Sequence, residues 1–392
     1  MIIPRMILED WFDQYQYQVE YDLGQSAIST RTVQELHFDL TDIKLRYGHH
    51  QGLPELREII ASQYPGLTAD DIIVTTGASE AISILALTIL SSGDHCIVEH
   101  PTYPTLYEVP RRLGAEVELF QLLLDHHWCP DWTTFKKLIR PETRLISLSH
   151  PNNPTGAVIS ESDLLDVVAL ADRLGTPLLV DETYRDLSYG AAPPPVASLS
   201  DRAISISTMS KCYGVPGLRI GWIAARNRKL IQRFVNAREY LTITNNTIGE
   251  VLALTILQNS KQYLIQASQQ VAANLETITR WMATQRRLAW VPPRGGVVSL
   301  ARIVDVDELG AQHLYRTLTE TYRTFIVPGG GFELPATFFR IGIGAHPSEL
   351  SKGLECLGAV LADSKDKITT FATVAQLPGM PRTWSSSTST AP

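Results

Sequence analysis

The feature that most constrains the fold is a series of short apolar runs separated by longer segments, some of them with helical periodicity. Runs that are largely apolar on consecutive residues are typical of strands that helices cover on both faces. A helical pattern such as Glu161–Leu174 lies between two of them. The alternation therefore predicts an α/β fold built on a large, mostly parallel sheet. The runs predicted as strands are Ile72–Thr75, His95–Glu99, Leu145–Leu148, Leu178–Val180, Ala203–Ser207 and Ile220–Ala224.

The pattern changes after about residue 282, which predicts a second and smaller unit. A Gly/Pro-rich segment at 292–296 leads into a strand, a helix, a glycine-rich loop, another strand and a last helix. We expect residues 43–282 to form the large domain and residues 283–362 a small α+β domain. Residues 1–42 would form an N-terminal arm that joins the small domain, and residues 363–392, which lose periodicity, a flexible tail.

Composition excludes several classes of function. The 392 residues carry a net charge of -7, which provides no basic surface for nucleic acid. The four cysteines are scattered without a Cys-x-x-Cys pair, so neither a disulfide framework nor a zinc site is expected. The most apolar stretch is too short to span a bilayer, and the N-terminus lacks the pattern of a secretory signal. We therefore expect a cytoplasmic enzyme with neither nucleic-acid nor membrane partners and no metal.

Small and polar residues follow three of the predicted strands. Thr-Gly-Ala-Ser at 76–79 opens a helix, where exposed backbone amides suit a phosphate, although many strand-to-helix turns have this composition. Tyr103 stands between two prolines and suits either stacking on a flat ring or packing in a turn. Asn153 belongs to a rigid His-Pro-Asn-Asn-Pro-Thr-Gly turn, a more specific motif whose amide can donate to a ligand oxygen.

Two further motifs indicate a cationic ring and a nucleophilic amine. Asp181 ends a buried strand, which is costly unless the carboxylate meets a cation such as a protonated pyridine nitrogen. Tyr184 can reach a phenolic oxygen of the same ring, which an aspartate that merely caps a helix would leave unexplained. Lys211 lies in a loop of small residues and suits imine formation, while Thr208 and Arg219 suit a phosphate.

All five motifs lie at strand ends, where open α/β sheets bind ligands, so one cofactor explains them together. With these motifs in this order, the chain resembles the class I and II aminotransferases, the fold-type-I pyridoxal-phosphate enzymes, over roughly residues 47–344. The resemblance implies a large domain with a seven-stranded type of sheet, a small α+β domain and pyridoxal 5'-phosphate as the cofactor. It also implies a homodimer with shared active sites.

The resemblance also implies a role for each site residue. Lys211 would form the Schiff base and shuttle protons, and Asp181 would pair with the pyridine nitrogen. Asn153 and Tyr184 would hold the ring oxygen, while Tyr103 would stack on the ring. The residues implied to hold phosphate are Ala78, Ser79, Thr208, Arg219 and, reaching the site of the partner subunit, Tyr47.

Substrate contacts follow from the two ends of the chain. Arg340 matches the arginine that binds the substrate α-carboxylate, a contact in which Asn153 shares. The opening Ile-Leu-Glu-Asp-Trp-Phe at 7–12 resembles capreomycidine synthase-like and enduracididine-forming cyclases, which eliminate water from hydroxylated arginines and close the guanidine into a ring. Glu9 in this stretch is the acid expected to bind a guanidinium, and a helix would place it on one face with Asp13. The N-terminal arm of the family usually carries a Gly-x-Pro-type segment, whereas residues 21–27 here read Tyr-Asp-Leu-Gly-Gln-Ser-Ala, with no proline.

Two functions remain open at this stage. The favoured one is dehydration and cyclisation of a hydroxyarginine to an enduracididine- or capreomycidine-like residue in specialised metabolism. The alternative is an ordinary aminotransferase for an aliphatic, aromatic or basic amino acid. An interaction protein on an inactive aminotransferase fold is rejected, because the cofactor and substrate residues are all present. Turn histidines are more often structural than catalytic, so His49, His50 and His100 receive no role.

Overall fold

The computed structural model describes residues 4–36 and 38–367, with side chains up to residue 362. Its α-helices, in chain order, are α1 Ile7–Tyr15, α2 Val33–Leu36, α3 Pro54–Ala61, α4 Ala78–Ile89, α5 Thr105–Arg112, α6 Trp132–Leu138, α7 Glu161–Leu174, α8 Arg228–Glu239, α9 Thr247–Gln258, α10 Ser260–Met282, α11 Glu308–Glu320 and α12 Pro347–Lys367. Its strands are β1 Tyr21–Asp22, β2 Ile72–Thr75, β3 His95–His100, β4 Glu116–Gln121, β5 Thr143–Ser149, β6 Leu178–Asp181, β7 Ala203–Thr208, β8 Gly221–Ala225, β9 Leu288–Trp290, β10 Val298–Ile303, β11 Thr324–Phe325, β12 Val327–Pro328 and β13 Phe338–Gly342.

A sheet of seven strands in the order β2-β8-β7-β6-β5-β3-β4 dominates the described part of the chain. Strands β4, β3, β5, β6 and β7 pair in parallel, whereas β8 runs antiparallel to both β7 and β2. The predicted α/β class with a large, mostly parallel sheet is confirmed. The run Ile220–Ala224 was predicted as a strand, and strand β8 is found there. It runs antiparallel because residues 209–220 form a short return with one 3-10 turn instead of a helical crossover.

The sequence did not predict strand β4. Its residues Glu116–Gln121 alternate charged and apolar side chains, so they form no continuous apolar run. This strand pairs only with β3 and lies at the edge of the sheet, where polar side chains on the outer face are tolerated. A search for continuous apolar runs finds strands that are buried on both faces, so it does not identify an edge strand such as β4.

Helices cover both faces of the large sheet, which explains its apolar strands. Leu179 packs on one face with buried residues of α4 and α8. Its neighbours Leu178 and Val180 point to the other face and pack with buried residues of α7. Since side chains alternate along a strand, burial on both faces favours apolar residues at successive positions.

A smaller antiparallel sheet, β12-β13-β10-β9, lies with α11 and α12 in the C-terminal part of the chain. The N-terminal arm joins this region: β1 pairs with β11, and the buried Leu8 of α1 packs with Phe325 and Phe332. The proposed domain limits stay predictions. Helix α12 continues to residue 367, so the first residues of the predicted tail are helical, and the rest lie outside the described residues. In the described ranges, no helix combines the length and apolarity needed to cross a membrane.

Candidate active site

A cavity of about 540 Å³ opens at the carboxyl ends of β2, β5, β6 and β7. It brings together ten of the residues that the sequence analysis singled out, from segments far apart in the chain. The cavity is lined by Met6, Glu9, Ala78, Ser79, Tyr103, Thr105, Ser149, Asn153, Asp181, Thr183, Tyr184, Thr208, Ser210, Lys211, Pro216 and Arg219. Arg340 adjoins this cavity through Asn153, whereas Tyr47 does not line it.

Asp181 is the last residue of β6, and its carboxylate faces the cavity from a buried position. Burial, as the main cause, raises the pKa of Asp181. The hydrogen bonds from Thr183 and the positive charge of Lys211 act in the opposite direction and lower it. The backbone amide of Thr183 donates to Oδ1 at 3.0 Å. A carboxyl group in this position requires a nearby cation to stay ionised, and the protonated ring nitrogen of pyridoxal phosphate meets that requirement.

Lys211 provides the amine of the site. Burial, as the main cause, lowers the pKa of Lys211 to about 8, and the positive charges of Arg340 and Arg219 act in the same direction. The carboxylates of Glu9 and Asp181 oppose this change. A substantial share of the amine is therefore neutral close to physiological pH, which is the state that forms imines and accepts protons.

The opposite end of the cavity fits a phosphate. Gly77, with φ of 81°, precedes α4, and a Cβ atom at this position would stand 2.6 Å from Nη2 of Arg219. The guanidinium thus lies directly over the start of the helix, where backbone amides also point. Thr208 Oγ1 donates to the carbonyl of Ile220 at 2.8 Å and lies 2.9 Å from Oγ of Ser210, whose hydroxyl joins the cationic and amide donors. These donors together match a phosphate dianion, and Ser210 extends the predicted set.

The rigid turn after β5 separates the functions of its two asparagines. Asn152 is fully buried, and its amide nitrogen donates to Glu99 at 3.2 Å and to the carbonyl of Pro101 at 3.1 Å. Asn153 instead lines the cavity, and its Oδ1 accepts a hydrogen bond from Arg340 Nη1 at 3.0 Å. Asn152 therefore shapes the turn, while Asn153 presents its amide to a ligand.

Arg340 lies on β13 and is buried. Its guanidinium forms no ion pair with a carboxylate of the described residues. Its Nη2 donates to the carbonyl of Gly24 at 2.7 Å, and its Nε makes no hydrogen bond within those residues. The guanidinium carbon stands 5.2 Å from the centre of the Phe332 ring. A buried cation that is paired only with neutral oxygens fits the binding of a substrate carboxylate.

We expect replacement of Arg340 by alanine to raise the Michaelis constant for the amino acid more than it lowers kcat. A charge-assisted hydrogen bond contributes about 1.5–3 kcal/mol, so losing one corresponds to a rise of about 10- to 100-fold. Steady-state kinetics measure the change. A second variant, Arg340→Lys, keeps the positive charge but lacks the planar guanidinium that can donate two parallel hydrogen bonds. Arg302→Ala on the neighbouring β10 is the control, since that side chain lies over Phe338 and outside the cavity lining. An unchanged Michaelis constant in Arg340→Ala would contradict the assignment.

Tyr47 and the turn histidines lie away from the cavity wall. Tyr47 is 81% exposed, so its predicted contact with the phosphate of a partner subunit stays a prediction. Nδ1 of His50 lies 2.9 Å from a carboxylate oxygen of Glu239 at the surface. His100 is buried, with Nε2 at 2.8 Å from the carbonyl of Phe332. His49 does not line the cavity either.

Helix α1 contributes one acid to the site. Glu9 lines the cavity, and within the described residues its carboxylate makes no hydrogen bond or ion pair. Asp10 and Asp13 instead pair with Arg5, outside the cavity lining. Helix α1 contains both Glu9 and Asp13, as expected from their spacing of four residues, but Arg5 engages Asp13, and Glu9 is the acid of α1 that lines the cavity.

Sequence reasoning missed Ser26, whose Oγ accepts a hydrogen bond from Nζ of Lys211 at 2.7 Å. It noted the segment for the absence of a proline but gave the hydroxyl no role. The contact joins positions 185 residues apart, so no local pattern could have revealed it. By contrast, Ser210 directly precedes Lys211, and a hydroxyl at that position was a signal available from the sequence.

Known proteins resemble this chain over nearly its whole length. The family model of aminotransferase class I and II matches residues 18–357. Capreomycidine synthase of Streptomyces vinaceus is 28% identical over 378 residues, which cover 92% of this chain and 94% of that protein. A PLP-dependent aminotransferase from Streptococcus suis superposes with a TM-score of 0.87 at 30% identity, covering 93% of this chain and 99% of its own. The PLP-dependent cyclase OrfR superposes with a TM-score of 0.86 at 25% identity, covering 93% and 98%.

Proposed function

Because this chain belongs to the class I and II aminotransferase family and depends on pyridoxal phosphate, we propose a specific activity for it. The enzyme removes water from a hydroxyarginine and closes the guanidine into a ring. The product would be a cyclic guanidino amino acid of the enduracididine or capreomycidine type, made for specialised metabolism. The predicted family resemblance and the cofactor are confirmed, whereas the cyclising activity is our inference from the site.

The observation that carries the proposal is the distribution of charge in the cavity. Arg340 lies behind Asn153 and suits the α-carboxylate, while Glu9 presents a carboxylate without an ion-pair partner in the described residues. An amino acid with a guanidinium side chain carries the complementary charges. A substrate with a neutral side chain would bring no cation to pair with the carboxylate of Glu9.

The residues of this chain divide the work of the reaction. Arg340 and Asn153 bind the carboxylate, and Lys211 accepts the α-proton of the substrate at Nζ. Asp181 stabilises the protonated ring nitrogen of pyridoxal phosphate. The cofactor, when bound, supplies an electron sink that stabilises negative charge at the substrate α-carbon. Tyr103 and Glu9 of α1 form part of the cavity wall around the space for the ligand.

The fate of the substrate then depends on its hydroxyl group. A β-hydroxyl leaves directly once the α-proton has been removed, while a γ-hydroxyl also requires removal of a β-proton. In both cases the hydroxyl takes up a proton and leaves as water, and a guanidine nitrogen then adds to the resulting electrophilic carbon. That nitrogen loses a proton as the carbon next to the point of attack gains one, and after γ-attack the α-carbon also regains the proton it lost. Attack at the γ-carbon gives a five-membered ring, and attack at the β-carbon a six-membered ring.

Two of the similar proteins support this proposal by name. Capreomycidine synthase matches over nearly the full length of both chains, and OrfR is described as a PLP-dependent cyclase. An ordinary aminotransferase remains the second candidate, because the Streptococcus suis relative is described as one and has the higher identity of the two structures. The ring-binding and phosphate-binding residues serve both activities equally.

A mass-spectrometric assay separates the two functions. The purified protein with pyridoxal phosphate is mixed with γ-hydroxyarginine, with β-hydroxyarginine or with arginine, and no keto-acid acceptor is added. Loss of water with retention of every nitrogen from either hydroxyarginine supports cyclisation. A keto acid that forms only after an acceptor is added, without any loss of water, would replace the proposal with transamination.

We expect Glu9→Gln to weaken binding of guanidinium substrates selectively. The change keeps the size of the side chain and removes the charge, and the expected rise in the Michaelis constant is about fivefold, the effect of a strong exposed ion pair. A neutral amino acid of similar length should bind as before. Asp13→Asn is the matched control on the same helix, since Asp13 pairs with Arg5. An equal response of both substrates would remove Glu9 from the substrate site.

The proposal extends to a homodimer. Leu45, Tyr47 and Tyr240 expose 78%, 81% and 92% of their surfaces, respectively. Exposed apolar and aromatic side chains of this size suit a contact with another protein surface, and a second copy of the chain is the partner that would let Tyr47 reach a phosphate. Light scattering of the purified enzyme tests this directly, and a monomeric mass of 43.5 kDa would contradict it.

A further inference from the structure

Ser26 contacts the amine of Lys211 from the N-terminal arm. Nζ of Lys211 donates to Ser26 Oγ at 2.7 Å, and the backbone amide of Ile28 donates to the carbonyl of Lys211 at 3.2 Å. The arm therefore holds both the side chain and the main chain of this lysine. Ser26 is only partly buried and does not itself line the cavity, so its hydroxyl reaches the site through the amine of Lys211.

The same segment is tied to the groups that suit the ring and the substrate carboxylate. Tyr184 donates its phenolic hydrogen to the carbonyl of Ser26 at 2.6 Å, and Arg340 donates to the carbonyl of Gly24 at 2.7 Å. On its other side, the amide of Gly342 donates to the carbonyl of Leu23 at 2.6 Å. These bonds fix the position of residues 23–26 relative to β13 and to the end of β6.

We propose that Ser26 is a positioning residue that holds the free amine of Lys211 toward the α-carbon of a substrate whose carboxylate is bound by Arg340. The backbone bonds at Gly24 and Ser26 set the distance between the carboxylate site and the amine, and the hydroxyl sets the direction of the amine. A proline, which the family resemblance would lead one to expect in this segment, has no hydroxyl with which to do this. The inference rests on the pyridoxal-phosphate part of the proposed function and holds for cyclisation and transamination alike.

The hydroxyl also affects the charge state of the amine. As an acceptor at 2.7 Å, Ser26 stabilises the ammonium form that Lys211 adopts after taking up the α-proton. Removal of this acceptor favours the neutral amine and lowers the pKa of Lys211 below its present value of about 8. Loss of orientation and loss of ammonium stabilisation both slow proton transfer at the α-carbon, since misplacement of a reacting group is costly.

The first test follows the formation of the lysine–cofactor imine, which requires no turnover. Full-length protein stripped of cofactor is mixed with pyridoxal phosphate over a range of pH, and the visible absorbance gives the rate of imine formation. The neutral amine is the reactive form, so the rate rises with pH through the pKa of Lys211. In Ser26→Ala we expect the midpoint of this rise to fall by about one pH unit, the scale of one hydrogen bond to a charged group.

The second test measures exchange of the α-proton of arginine in D₂O by mass spectrometry. Ser26→Ala should exchange about 10- to 100-fold more slowly than the wild type, while Ser26→Thr, which keeps the hydroxyl, should restore exchange. Ser29→Ala is the control on the same arm, because its hydroxyl contacts Gln270 instead of the site. If Ser26→Ala matched the wild type in both tests, or if Ser26→Thr behaved as Ser26→Ala does, the proposal would be overturned.

The design separates this inference from the proposed cyclisation. A wild-type enzyme that exchanges the α-proton of arginine but leaves both hydroxyarginines intact would contradict cyclisation, and the Ser26 variants would still decide the positioning role. Conversely, an enzyme that cyclises hydroxyarginine at the same rate with and without the Ser26 hydroxyl would overturn the positioning role alone.

Discussion

Lys211→Ala is expected to lose the yellow colour of the lysine–cofactor imine and at least about 10³-fold of turnover, within the range for removal of a catalytic base. The amine at this position is the one that lines the cavity beside Asp181, and its lowered pKa increases the neutral fraction near physiological pH. Alanine can neither form the imine nor accept the α-proton. Absorbance spectra of the purified variant and steady-state rates measure the two losses separately.

The variant should still bind pyridoxal phosphate without a covalent bond. Arg219, Thr208 and the start of α4 would hold the phosphate end independently of Lys211, so native mass spectrometry should detect the retained cofactor. Lys229→Ala on the exposed surface of α8 serves as the control and should keep both colour and rate. Full activity in Lys211→Ala would remove the central residue from the proposed site.

The fold was largely predictable because burial on both faces of the sheet leaves a direct mark on the sequence. Strand β6 is apolar over three consecutive residues, while β5 and β7 combine apolar residues with small buried serines, and each had been predicted within a few residues of its observed limits. Strand β4 escaped because an edge strand is free to alternate polar side chains. The antiparallel direction of β8 depends on the path of residues 209–220, which periodicity does not determine.

The site was predictable where each functional residue lies next to a strand end. Asp181, Asn153 and Lys211 follow β6, β5 and β7 closely, so the topology of the sheet alone brings them together. Ser26 and Glu9 arrive from the N-terminal arm, whose position depends on packing against the C-terminal part of the chain. That packing involves contacts over hundreds of residues, such as the hydrogen bond from Trp11 to the carbonyl of Ile326, which explains why Ser26 was missed.

Two neighbouring acids at the end of β6 show why position in the cavity matters more than burial. Asp181 and Glu182 are both buried, and burial is the main cause that raises the pKa of each, to about 7 for Glu182. Glu182 turns away from the cavity, and its Oε1 accepts a hydrogen bond from the amide of Val196 at 2.7 Å. Only Asp181 faces the space that suits the ring, so only its charge can influence the ring nitrogen.

We therefore expect Asp181→Asn to lower kcat by about 10²–10³-fold, the cost of losing one preorganised electrostatic group, with little change in cofactor binding. Asparagine keeps the shape but cannot hold a proton on the ring nitrogen, and a neutral ring withdraws electrons from the α-carbon poorly. The turnover rate and the dissociation constant for pyridoxal phosphate are measured on the same preparation of the variant. Glu182→Gln is the matched control: the glutamine oxygen still accepts from Val196, and rates close to those of the wild type are expected. Near-normal turnover in Asp181→Asn would show that this aspartate only caps the turn after β6. An equal loss of turnover in Asp181→Asn and Glu182→Gln would show that the effect comes from packing and not from charge.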